Sequence, residues 1–195
     1  GIFAALEWNN PGTLGGLTPS QKLMAALFQS VTLRTAGFAT FDQNALSDVS
    51  KAVADFLMLI GGSSGSTAGG VKTVTMGLVV LSAVSTMRGR RQVTVFRRSI
   101  SQQDISNAVS VALLVLGLSL FGAAVLTVCD RCSFLNAIYE TTSALCTVGL
   151  TTGITGTLCA ASKLILIVFM FFGRVGIMTI GVGFMMGDRA RERVQ

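Results

Sequence analysis

The chain has 195 residues, of which 51% are hydrophobic and only 12% charged, with a formal net charge of +6. That charged share is about half of what soluble domains carry, so an ordinary soluble domain is set aside in favour of a membrane protein. There is no histidine and no Ser/His/Asp, Cys/His or paired-carboxylate arrangement, so an enzyme is not expected.

In chain order, Gly1 to Leu6 is apolar and lacks both a basic start and a cleavage pattern. It reads as the end of a helix that begins upstream, and the chain is expected to be a fragment. Gly12 to Asp42 follows as a polar turn (Thr18-Pro19-Ser20), an apolar helix over Leu23 to Val31, then Thr35-Ala36-Gly37-Phe38. Thr18 or Ser20 can cap that helix.

Asp48 to Met87 holds 40 residues. A bilayer core about 30 Å thick needs about 20 helical residues, so one continuous helix would be about twice too long. It must break, and GGSSGSTAGG (Gly61 to Gly70) marks the place. Backbone without helical pairing survives at membrane depth only where it is buried in protein or lines a cavity, so a hydrated path is expected beside this loop.

Ile105 to Val128 is the next span. Ser133 to Thr157 is too polar to cross and should dip in and return: a helix over Phe134 to Leu145 capped by Ser133, then Thr147-Val148-Gly149-Leu150. Leu158 to Met186 crosses again. The two dipping segments read as one unit used twice, with nine residues from Phe28 to Gly37 and ten from Tyr139 to Gly149. Repeats that cannot close a core alone imply further copies.

The positive residues sit beside the spans, which favours a topological role over nucleic-acid binding. Arg88, Arg90, Arg91, Arg97 and Arg98 form one basic loop; Arg189, Arg191 and Arg193 form another. The positive-inside rule puts both in the cytoplasm and leaves Trp8 and Tyr139 at the outer surface. The 88–98 loop could also contact anionic lipid.

A short helix ending in Thr-x-Gly can aim backbone carbonyls at a common axis, because glycine takes unusual dihedrals and adds no bulk. Carbonyl rings replace the hydration shell of a monovalent cation, and the helix C-terminal end adds partial negative charge. Glu140 is the only acid in either short helix, which argues against divalent-ion chemistry. Arg174, amid Phe169 to Ile177, should face the bundle interior or water. It reads either as a structural arginine on loose carbonyls or as a barrier to cations. Lys72 ends the glycine loop, but Val71 interrupts a phosphate-cradle pattern there. Cys129 and Cys132 have metal-like spacing without a second pair to complete a site.

The segments VTLRTAGFATFD, GGSSGSTAGGVKT, LCTVGLTTGIT and FFGRVGIMTI resemble the Trk/Ktr/HKT superfamily of potassium transporters, nearest to the bacterial Ktr-type membrane subunit. The resemblance implies an all-α membrane protein with a potassium-channel-like pore. Its span–pore helix–span repeats carry re-entrant filter loops, and one helix is broken. Residues 1–98 would be the third of four such units and 99–195 the fourth. Thr35, Ala36, Gly37 and Phe38 would form the third filter strand, and Thr147, Val148, Gly149 and Leu150 the fourth, holding K+ through backbone carbonyls. Gly61, Gly62, Ser63, Ser64, Gly65, Ser66, Thr67, Ala68, Gly69 and Gly70 would form an intramembrane gate beneath the filter, with Lys72 and Arg174 beside it. Leu33 stands where the family has proline, and Cys146 where it has a glycine or similar small residue.

The implied function is potassium uptake across the cell membrane, with Na+ dependence and K+/Na+ selectivity left open by the two absent filter strands. No cofactor is expected beyond the transported ion. The expected partners are membrane lipid, a cytoplasmic nucleotide-binding regulatory ring and a second pore subunit in a homodimer. A secondary solute transporter with broken helices around a midplane site is the alternative class.

Overall fold

The computed structural model describes residues 1–63, 69–88, 94–95 and 98–175. Seven helices carry the described fold: α1 (Ile2–Glu7), α2 (Pro19–Thr32), α3 (Asp48–Leu59), α4 (Thr73–Met87), α5 (Gln102–Asp130), α6 (Phe134–Leu145) and α7 (Ala160–Val175). In the basic loop, β1 (Thr94–Val95) pairs antiparallel with β2 (Arg98–Ser99). The basic C-terminal cluster lies outside the described residues, as does the end of the last expected span.

Local chemistry sets the helix starts. Pro19 opens α2 behind Thr18, whose N–H donates to Gln21 Oε1 at 3.0 Å; proline's fixed φ suits a first helical position. The Ser47 hydroxyl accepts from the Ser50 N–H at the start of α3, and the Ser101 hydroxyl from the Asp104 N–H at the start of α5. Among the described residues α5, with 29 residues, is the helix long and apolar enough to cross a membrane.

The expected break falls between α3 and α4. Val71 N–H donates to the Leu59 carbonyl at 3.0 Å, and Gly61 N–H to the Val71 carbonyl at 2.8 Å. These two bonds make a parallel bridge between Ile60 and Val71. The chain therefore runs in the same direction at Ile60, where it leaves α3, and at Val71, where it approaches α4. The bridge pairs the Leu59 carbonyl, the Val71 N–H and carbonyl and the Gly61 N–H, backbone groups left without helical partners at the break.

α6 is the hub of the packing. It lies against α3, α5 and α7, and its Tyr139, Thr141, Thr142 and Leu145 are fully buried. Gly122 on α5 makes this possible, because a Cβ there would run into the Phe169 ring of α7 and approach Thr141. The Thr141 hydroxyl donates to the Ser119 carbonyl at 3.0 Å, fixing α5 to α6. Asp130, at the end of α5, accepts the Cys159 N–H at 2.6 Å and so caps α7. The other short helix, α2, leaves Leu23, Met24, Leu27, Phe28 and Val31 exposed.

Glu7, beyond the apolar part of α1, ties that helix to α3. Its carboxylate accepts the Ser47 N–H at 3.0 Å, the Ser47 hydroxyl at 2.6 Å, the Thr13 hydroxyl at 2.8 Å and the Asn10 amide at 2.6 Å. Burial alone would raise its pKa, but hydrogen bonds from Ser47, Ser50 and Thr13 to the ionised form bring it to about 2, against 4.5 for an unperturbed glutamate. A folded-state pKa below the unfolded one gives stability that is present above about pH 4.5 and is lost as pH falls toward 2. Glu7→Gln is therefore expected to lower the thermal unfolding midpoint at pH 7, with the gap from wild type closing as the solution is acidified. A gap independent of pH would contradict this account of Glu7.

Candidate functional site

The two Thr-x-Gly turns share left-handed φ at their threonine and glycine. Thr35 (φ 65°) and Gly37 (φ 78°) are left-handed, as are Thr147 (φ 56°) and Gly149 (φ 90°), whereas Ala36 and Val148 between them are not. Threonine takes this region rarely and at a cost, so the surroundings must impose it. Alternating handedness turns successive N–H groups to one side and carbonyls to the other. No backbone N–H in the described structure takes the carbonyls of Thr35, Ala36 and Gly37, or those of Thr147, Val148 and Gly149. Each turn follows the C-terminal end of its short helix, where the helix dipole is negative.

A hydroxyl near each helix end holds its turn. Thr32 Oγ1 donates to the Phe38 carbonyl at 2.6 Å and accepts the Phe38 N–H at 2.9 Å. Ser143 Oγ donates to the Leu150 carbonyl at 2.6 Å. The first reach spans 6 residues and the second 7, which places the one-residue difference between the repeats inside these clamps. The two turns face each other. A Cβ on Gly37 would strike the Val148 carbonyl oxygen, and one on Gly149 would lie 3.8 Å from the Gly37 Cα. At Gly37 only glycine allows that approach.

The Gly69–Gly70 end of the glycine loop comes against the second turn. Gly69 N–H donates to Thr147 Oγ1 at 2.8 Å. A Cβ on Gly70 (φ +73°) would lie 3.0 Å from Cys146 Sγ. Gly61, Gly62 and Val71 hold the loop's base through backbone bonds, Ser63 follows them, and Lys72 stands at the N-cap of α4. Ser64, Gly65, Ser66, Thr67 and Ala68 lie outside the described residues. Arg174, on the last described turn of α7, lines a cavity of 360 Å³ with Glu140, Thr147, Gly149, Leu150 and Thr155. The structure thus brings together both turns, the loop's near end and the Arg174 region.

Some of the site's supports were not picked out in the sequence. Glu140 Oε1 accepts the Thr151 hydroxyl at 2.6 Å and the Thr152 N–H at 2.8 Å, and its Oε2 accepts the Thr155 hydroxyl at 2.8 Å. One carboxylate on α6 thereby anchors the strand that leaves the second turn. At the corresponding place on α2, Gln29 donates to Gln43 Oε1 at 2.6 Å, and the Tyr139 hydroxyl reaches the same oxygen at 3.0 Å. This buried network joins the two short helices. Tyr139 is fully buried within the protein, where its hydroxyl has that partner. Asp55 on α3 is buried, and its Oδ1 has no hydrogen-bond partner among the described residues. The hydroxyl clamps had a readable signal: a Ser or Thr six or seven residues before the residue that follows the glycine, present in both copies.

A family model described as a cation transport protein, TrkH, matches residues 3–191. The chain is 40% identical over 188 residues to Ktr system potassium uptake protein B of Bacillus subtilis, covering 96% of this chain and 42% of that protein. It is 38% identical over 183 residues to the potassium/sodium uptake protein NtpJ of Enterococcus hirae, covering 92% of this chain and 40% of that protein. The chain thus spans about two fifths of the length of these relatives. Its fold is similar to the crystal structure of the potassium transporter TrkH from Vibrio parahaemolyticus, with a TM-score of 0.72 at 22% identity over 89% of this chain and 38% of that one.

The Glu140 anchor can be weighed directly. Glu140→Ala strands the buried Thr152 N–H and frees the post-turn strand, at an expected cost of about 1–3 kcal/mol. Thermal unfolding of the purified protein should show this as a lower midpoint, with Glu140→Gln closer to wild type. Equal midpoints for the alanine variant and wild type would refute the anchor.

Proposed function

The chain belongs to the TrkH family of cation transport proteins, and from that premise we propose that it supplies two of four filter strands in a potassium uptake pore. The observation that carries this reading is the pair of facing turns with alternating handedness, Thr35 to Phe38 and Thr147 to Leu150. Carbonyls presented on one side at the negative ends of two short helices suit a partly dehydrated monovalent cation. The relatives are a potassium uptake and a potassium/sodium uptake protein, which supports potassium as the ion and keeps sodium as a second candidate.

Two strands make half a ring. The exposed apolar face of α2, against the enclosed α6, agrees with units 1–98 and 99–195 being the third and fourth of four. The Gly61 to Gly70 loop acts as an intramembrane gate beneath the filter. Arg174 opposes cations near it, and Lys72 stands at the loop's inner end. The contact of Gly69 with Thr147 supports that placement. On this reading the 88–98 loop and the C-terminus face the cytoplasm, where a nucleotide-binding regulatory ring docks, and two full-length pore subunits pair.

Gly149→Leu would push a side chain onto the filter axis. In potassium-starved cells expressing the full-length protein it is expected to abolish rubidium uptake while the protein stays in the membrane. Wild-type rubidium uptake by that variant would overturn the filter reading. Wild-type protein that inserts well but carries no cation would favour a solute transporter.

A further inference from the structure

The two filter turns share a backbone but differ in what holds their first residue. Thr147 uses both branches of its side chain on other elements. Its Oγ1 accepts the Gly69 N–H at 2.8 Å, across 78 residues of sequence. Its Cγ2 lies 3.1 Å from where a Cβ on Gly173 of α7 would stand. Gly69 is buried, and a Cβ there would lie 2.9 Å from the Cys146 carbonyl and from Thr147 Oγ1, so the loop meets the turn with no side chain between them. Thr35, equally left-handed at φ 65°, has no such side-chain bond among the described residues.

A left-handed threonine needs external support to persist. At Thr147 that support includes a hydrogen bond whose donor belongs to the glycine loop, so the loop's position and the turn's conformation are tied. We infer that the Thr147 hydroxyl is a positioning group through which the Gly69–Gly70 end of the loop sets the carbonyl geometry of the fourth filter strand, and with it the preference for one monovalent cation over another. This inference rests on the filter reading above. Carbonyl rings discriminate by the number and placement of their oxygens, so a turn released at one residue should discriminate less without ceasing to conduct. Valine keeps the shape of threonine and removes the acceptor; serine keeps the acceptor and removes the methyl that faces Gly173.

The test is the ratio of rubidium to sodium uptake by the full-length protein in potassium-starved cells, normalised to protein in the membrane. Losing one hydrogen bond that favours the selective geometry should lower the ratio about fivefold in Thr147→Val. Thr147→Ser should stay near wild type. Shortening the Gly61 to Gly70 loop should lower the ratio similarly, and the double variant should fall no further, because both changes cut the same link. An unchanged ratio in Thr147→Val, or losses that add in the double variant, would overturn the link. Unimpaired rubidium uptake in Gly149→Leu would instead sink the filter reading on which it rests.

Discussion

Backbone that leaves the helix inside a membrane must find its partners within the protein or face water, and the described parts of three irregular segments show how such partners are found. At the glycine loop the solution is a parallel bridge, in which Leu59 and Val71 take over what the helix gave up. At the two turns the solution is a hydroxyl clamp, Thr32 on Phe38 and Ser143 on Leu150. Each clamp secures the far end of its turn and leaves the carbonyls between unclaimed by backbone donors. At each turn the irregularity is thereby confined to a few residues, the ones the proposed filter would use.

The packing explains why one turn is held more firmly than the other. α6 is enclosed by α3, α5 and α7, and Gly122 and Gly173 are where side chains had to vanish for that enclosure. Glu140 then uses one buried carboxylate to fasten the strand beyond the second turn. α2 has fewer neighbours and relies on Gln29, Gln43 and the Tyr139 hydroxyl for its link to α6. A neutral amide pair serves at one short helix and a carboxylate at the other, so the two segments share their left-handed threonine and glycine and differ in polar support.

Much of this was legible in the residues. The length of Asp48 to Met87 forced a break, and it lies between Leu59 and Thr73. The limits of α6 match the expected Phe134 to Leu145, with Ser133 at the N-cap position but making no side-chain cap bond. The helix before the first turn starts earlier than expected, at Pro19, because proline suits a first helical turn. The Thr-x-Gly turns were readable because glycine reports an unusual dihedral locally. The threonine handedness, the Glu140 anchor, the buried Tyr139 and the Gly69–Thr147 bond were not, since each depends on residues brought together only by tertiary packing. A threonine in αL looks like any threonine until its neighbours are in place.

The most direct test of the central claim is anomalous X-ray diffraction from crystals of the full-length protein grown in rubidium. Rubidium peaks on an axis between the Gly37 and Gly149 turns, within coordination distance of their carbonyl oxygens, are the expected result. A filled, well-ordered structure with rubidium only outside these turns would contradict the claim that they form a cation filter.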